Sequence, residues 1–111
     1  MDVILAPTNL GLSPLYPGHE PGTWRAPEVL MAAGLADALR ANASVTRLAR
    51  PHYCRVPPAG TLIRNGYAIR AFSLTLAERV AQSVRNGSFA LVLGGDCSTR
   101  KSHRRVVHRV R

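Results

Sequence analysis

Residues 89–98 read FALVLGGDCS, and the fold turns on how this stretch is read. Residues 89–93 are apolar at every position, the pattern of a parallel strand covered on both faces. Gly94 and Gly95 then allow a sharp turn off the strand and close approach of a ligand. Asp96, Cys97 and Ser98 place a carboxylate, a thiol and a hydroxyl at the strand's carboxyl end. In open α/β sheets that end is where ligands bind. Two readings stay open from the local pattern. One is a chemically equipped loop; the other is a plain Gly-Gly turn in which Asp96 and Ser98 cap a following helix. A dinucleotide site is disfavoured, because GxGxxG is absent and the glycine pair follows the third strand rather than the first.

Upstream, the apolar run at residues 3–6 ends at Pro7 and reads as a buried first strand. The stretch NLGLSPLYPGHEPGTW (residues 9–24) carries three prolines and three glycines, which exclude a regular element. A loop of that length in a compact domain is more often functional than inert. Pro27 suits the first turn of a helix, and the spacing that follows predicts one running to about Asn42. Residues 45–49 form a candidate second strand, followed by the Pro-rich connection RPHYCRVPPAGT. From residue 67 to 84, Ile69, Phe72, Leu76, Val80 and Val84 recur at helical spacing. Asn65 reads as the N-cap of this helix, and Asn86-Gly87 as its stop. The order strand, loop, helix, strand, helix, strand predicts an α/β parallel sheet.

The 111 residues suit one small domain or part of a larger one. The net charge of +9 is unevenly spread. Nine basic and six acidic residues fall in 1–98, giving +3, while six basic and no acidic residues fall in 99–111. Two cysteines are too few for a disulfide framework and too irregularly placed for a CxxC knuckle. With no secretory signal and no apolar run long enough for a membrane span, a cytoplasmic, reducing location is the expectation.

ILAPTNLGLSPLYPGHEPGTWRAPEVLMAAGL and IRNGYAIRAFSLTLAERVAQSVRNGSFALVLGGDCS together resemble the N-terminal part of the arginase/agmatinase/formiminoglutamase family, the ureohydrolases. The likeness covers residues 2–98 and is greatest to a bacterial branch with Cys in the GGDxS motif. It implies a three-layer α/β/α parallel-sheet domain, of which residues 1–98 are the N-terminal half and 99–111 a basic, non-native or disordered tail. It also implies a pair of Mn(II) ions at the strand ends and hydrolysis of a guanidino or related C–N bond by a metal-bridged hydroxide. The usual motif is GGDHS, whose His is a ligand; the matching residue here is Cys97. Its soft thiolate suits Zn(II) or Fe(II) better than Mn(II). Asp96 would orient the loop behind it.

The family's remaining ligands belong to later DAHxD and SxDxDxxDP motifs. No acidic residue follows Asp96 in this chain, so the expectation is a fragment that retains no metal pair and has no activity alone, with no residue assigned as catalytic. The apolar positions of TRKSHRRVVHRVR are Val106, Val107 and Val110, too narrow a stripe to cover a central strand. An out-of-frame coding change after Ser98 is the preferred reading of this tail, and the coding DNA tests it.

The competing function is a binding module whose tail engages nucleic acid or an acidic partner. Nucleic acid is disfavoured by the lack of aromatic interleaving or a reader motif. Self-association through an unpaired strand edge at residues 89–93 would make the chain a homo-oligomer. A small guanidino or amide compound is the expected substrate of the full-length family, and no membrane partner is expected.

Other residues carry two readings each. His19 and Glu20, in the long loop, are candidates for substrate contact or simply solvated. Trp24 reads first as an anchor of the loop on the first helix. His52 and Cys54 read as a scattered loop pair rather than a metal pair, and Cys97 in its bland reading is a buried small hydrophobe.

Overall fold

The computed structural model describes residues 1–39, 43–54, 56, 59–60 and 65–99. The predicted basic tail falls outside these except for Thr99. Three strands, β1 (Asp2–Ala6), β2 (Ser44–Arg47) and β3 (Ala90–Gly94), form a parallel sheet in the order β2-β1-β3. Between them lie α1 (Ala26–Ala32), α2 (Leu35–Ala38) and α3 (Gly66–Arg85).

The register sorts side chains onto two faces, because partners across a parallel ladder point the same way. Ile4 pairs with Thr46 and Val92. This face meets α3: Ile4, Ala6, Leu10, Tyr53, Phe72, Leu76 and Val80 form one buried cluster, with Ala90 and Val92 packed against it. Arg79 on α3 donates to Thr46 Oγ1 from Nη2 at 3.0 Å and approaches Asp2 Oδ2 at 3.9 Å. The opposite face carries Val3 and Leu5 with their partners Val45 and Arg47. Arg47 reaches Glu28 of α1 at 2.7 Å, which places α1 on this side. The connection from β1 to β2 therefore crosses one face and the connection from β2 to β3 the other. Two right-handed crossovers running in opposite directions along a sheet require this arrangement.

The central strand is β1, where Val3, Ile4, Leu5 and Ala6 are almost wholly buried. Full burial of a Val, Leu or Ile side chain contributes about 1.5–3 kcal/mol, so this strand anchors the domain. The strand predicted to be interior, β3, is instead half-exposed throughout and pairs with β1 among the described residues. Its apolar residues fit either position, and the sheet order sets which faces are covered.

The first predicted helix is split. Gly34 adopts φ +94° between α1 and α2, a left-handed conformation that ends the first segment. The second strand falls slightly earlier than predicted, at Ser44–Arg47 rather than 45–49.

Along α3 the buried stripe is Phe72, Leu76, Val80 and Ser83, whereas Val84 is 39% exposed. Each step of four residues rotates about 40° past a full turn. After two such steps a third carries Val84 off the face, and a step of three brings Ser83 back. The helix ends as predicted at Gly87, with φ +76°. Ser88 N–H donates to Ser83 O at 2.9 Å and Gly87 N–H to Val84 O at 3.0 Å, the paired bonds of a Schellman cap.

Asn65 departs from its predicted role. It precedes α3 but has φ +59° and makes no side-chain bond to the helix. Its Oδ1 accepts from Cys54 N–H at 2.6 Å and its Nδ2 donates to Leu10 O at 3.2 Å. Buried at the sheet's end, it ties the segment after β2 to the segment after β1. No helix among the described residues is long and apolar enough to cross a membrane.

Candidate functional site

With strand order β2-β1-β3, the chain leaves β1 toward one side and returns to pair on the other, so the topological switch lies between β1 and β3. Crevices at such points, beyond the carboxyl ends of the strands, are the usual ligand sites of open α/β sheets. The Thr8–Gly11 and Asp96–Ser98 segments meet there.

Asp96 joins them. Its Oδ1 accepts from Thr8 Oγ1 at 2.7 Å and Ser98 Oγ at 2.9 Å. Its Oδ2 accepts from Gly11 N–H at 2.7 Å and, more weakly, Ser98 N–H at 3.4 Å. One carboxylate oxygen thus meets two hydroxyls, and the other two backbone amides. Thr99 Oγ1 closes the turn onto Asp96 O at 3.2 Å. Cys97–Thr99 forms a single 3₁₀ turn, so the capping of a short helical turn and the cross-loop bridge coexist in one residue.

Gly95 explains why the motif needs a second glycine. A Cβ there would overlap Thr8 O and lie 2.6 Å from Thr23 O. Both obstacles are backbone, and neither can yield as a flexible side chain would. The three segments at this end of the sheet close on each other through that missing atom.

Gly11, Leu12, Ile69, Asp96, Cys97 and Ser98 line a cavity of about 270 Å³. Cys97 is exposed rather than a buried small hydrophobe, because the turn after Gly95 carries it to the rim.

The structure brings Asp96 and Cys97 to this crevice and places His19 and Glu20 elsewhere. His19 stacks on Tyr16 with ring centroids 4.5 Å apart and does not line the crevice. Glu20 Oε1 accepts from Asn9 Nδ2 at 2.9 Å and pairs with Arg50, so it is structurally engaged rather than simply solvated. Trp24 stands in a 3₁₀ turn, Gly22–Arg25, that runs directly into α1. His52 and Cys54 are exposed and border an open cleft with Glu20, Tyr53 and Val56.

Thr8, Asn9 and Gly11 were not singled out from sequence. The available signal was their position as polar or small residues directly after a buried strand. Asn9 is fully buried, donating also to Pro21 O at 2.8 Å, and its Oδ1 has no partner among the described residues.

The donor set does not fit a metal pair. No three His, Cys, Asp or Glu side chains gather among the described residues. Both Asp96 oxygens already accept bonds from the flanking loops, leaving Cys97 as a soft donor at the rim.

Neither a protein-family model nor a curated protein matches the sequence. Among solved structures, the arginase from Bacillus subtilis superposes with a TM-score of 0.68 at 22% identity. The match covers 98% of this chain and 33% of that one. This chain therefore spans about a third of the length of its structural neighbour. The parallel sheet with helices on both faces, closed at its carboxyl edge by the GGDCS turn, is the arginase-like α/β fold.

Proposed function

We propose that this chain is a partial member of the arginase family. In this reading it is the N-terminal portion of a metal-dependent hydrolase of guanidino or amidino C–N bonds, without turnover of its own. The observation that carries the reading is the GGDCS turn at the β1/β3 switch point of an arginase-like sheet. There Asp96 bridges two loops, and Cys97 is offered to the crevice beside it. Cys97 stands at the family's ligand position, and Asp96 acts by holding the loop. A binuclear centre needs several hard oxygen and imidazole donors, and Cys97 alone does not supply them. No hydrolytic step is therefore assigned to these residues. When a complete donor set is present, the metal pair of such enzymes supplies an activated hydroxide at neutral pH.

The test measures urea release from arginine and agmatine by the full chain with Mn(II) or Zn(II) added. The expected result is none above the metal blank, and metal-dependent turnover would overturn the assignment. Co(II) titration adds a positive readout. A thiolate-to-metal absorption band that Cys97→Ser removes and Cys54→Ser leaves intact places the soft donor at Cys97, and the reverse pattern removes it from the ligand position.

A further inference from the structure

A second constellation lies away from the crevice, at the junction of the long loop with the segment after β2. The Arg50 guanidinium carbon sits 3.7 Å from the centroid of the Trp24 ring. Its Nη2 pairs with Glu20 Oε1. A planar cation on an aromatic face, with a carboxylate at its edge, satisfies the guanidinium both by charge and by shape. The Arg25 guanidinium carbon is 5.1 Å from the same ring, a second and looser cation–π approach to the indole.

The receptor half of this pair is held independently of Arg50. Glu20 Oε1 also accepts from Asn9 Nδ2, and Asn9 is fully buried and tied to Pro21 O. Trp24 is held by the 3₁₀ turn that leads into α1. Arg50, in contrast, comes from an irregular segment after β2. The Arg50 and Glu20 side chains are 37% and 33% exposed, so the contact is open to solvent. Glu20 also borders the cleft lined by His52, Tyr53, Cys54 and Val56, which gives a ligand a route to the carboxylate.

We propose that Trp24 and Glu20 form a binding seat for a monosubstituted guanidinium, which Arg50 of the same chain occupies and an external guanidinium enters by displacing it. None of these residues lines the Asp96–Cys97 crevice. The seat requires no metal and no hydrolysis, so its test does not depend on the proposed enzymatic reading.

Trp24 is the chain's one tryptophan, so its fluorescence reports the seat directly. The full chain is titrated with N-ethylguanidinium chloride, below unfolding concentrations, against ethylammonium chloride at equal ionic strength. In Arg50→Ala the guanidinium is expected to give a saturable change and ethylammonium none. The unsubstituted chain should bind about tenfold more weakly, since a tethered competitor acts at an effective concentration in the millimolar range or above. Adding Glu20→Gln to Arg50→Ala should weaken binding by about tenfold through loss of a charge-assisted bond. Arg50→Lys keeps the charge without the planar group, serves where Arg50→Ala fails to fold, and should bind the probe more tightly than the unsubstituted chain. An arginine-containing tripeptide amide run in parallel separates the two sources of this chemistry. Tighter binding of the peptide assigns the seat to a partner's arginine, and tighter binding of ethylguanidinium to a free small molecule. A linear response in both Arg50 variants, equal affinity with and without Arg50, or full binding after loss of the Glu20 carboxylate would overturn the proposal.

Discussion

Replacing Asp96 by asparagine and by alanine separates the geometry of the loop bridge from its charge. Oδ1 faces two hydroxyls, Thr8 and Ser98, and each can turn its proton away and accept instead. Oδ2 faces two backbone amides, Gly11 and Ser98, which can only donate. An asparagine with its amide nitrogen at the Oδ1 position and its carbonyl at the Oδ2 position therefore keeps a hydrogen bond to each of these groups. What it loses is the charge-assisted part of the bonds, about 1 kcal/mol in total at this half-exposed position. Alanine loses all of them. Water can replace the acceptor for Gly11 and Ser98, but Thr8 is fully buried, and stranding its hydroxyl costs about 1–3 kcal/mol. The alanine variant should thus lose about 3 kcal/mol, and the asparagine variant about a third of that. Urea unfolding followed by Trp24 fluorescence measures both. With a slope of about 1–1.5 kcal/mol/M for a domain this small, Asp96→Ala should lower the midpoint by roughly 2–3 M. Equal losses in the two variants, or a loss under about 0.5 kcal/mol in Asp96→Ala, would refute the assignment of Asp96 as the bridge between loops.

Substitutions at Gly95, Gly22 and Asn65 examine the backbone around this bridge. Gly95→Ala forces a Cβ against Thr8 O and Thr23 O and should cost about 2 kcal/mol or more, lowering the melting temperature by roughly 10 °C. Gly22→Ala, with nothing within 4 Å of the added atom, is the control and should change stability by less than about 0.5 kcal/mol; similar melting of the two variants would contradict the packing at Gly95. Asn65→Gly keeps access to the left-handed backbone but removes the bonds to Cys54 and Leu10, with an expected loss of about 1–3 kcal/mol in denaturant unfolding. Asn65→Ala should be worse by about a further 1 kcal/mol from backbone strain, and an alanine variant as stable as the glycine one would show that the strain is relieved elsewhere.

Much of the architecture was legible in the residues because it follows from short-range physics. The apolar runs that became β1 and β3 are constrained by strand period, and the boundaries of α3 by helical spacing and a glycine stop. Pro27 opened the first helix for the same local reason. Gly34 was equally visible, but whether a glycine interrupts a helix depends on the packing on either side of it. The resemblance to the arginase family pointed to the arginase-like fold from the GGDCS turn and the long loop before α1.

What the chain order could not supply was which strand would be central and which polar groups would meet. A continuous apolar run is compatible with several places in a sheet, and the order β2-β1-β3 made β1 the buried centre and left β3 half-exposed. That order also created the switch point at which Asp96 reaches Thr8, 88 positions away in the chain, and Gly11. Asn65 looked like a helix cap because caps are local, yet its bonds go to two other loops. The Trp24–Arg50–Glu20 seat is likewise non-local, assembled from the long loop and the segment after β2. Sequence by itself determined the periodic elements, the turn chemistry of GGDCS and the resemblance it carries. Tertiary structure decided the partners of the polar side chains, because hydrogen-bond and cation–π geometry depends on distances that no spacing along the chain encodes.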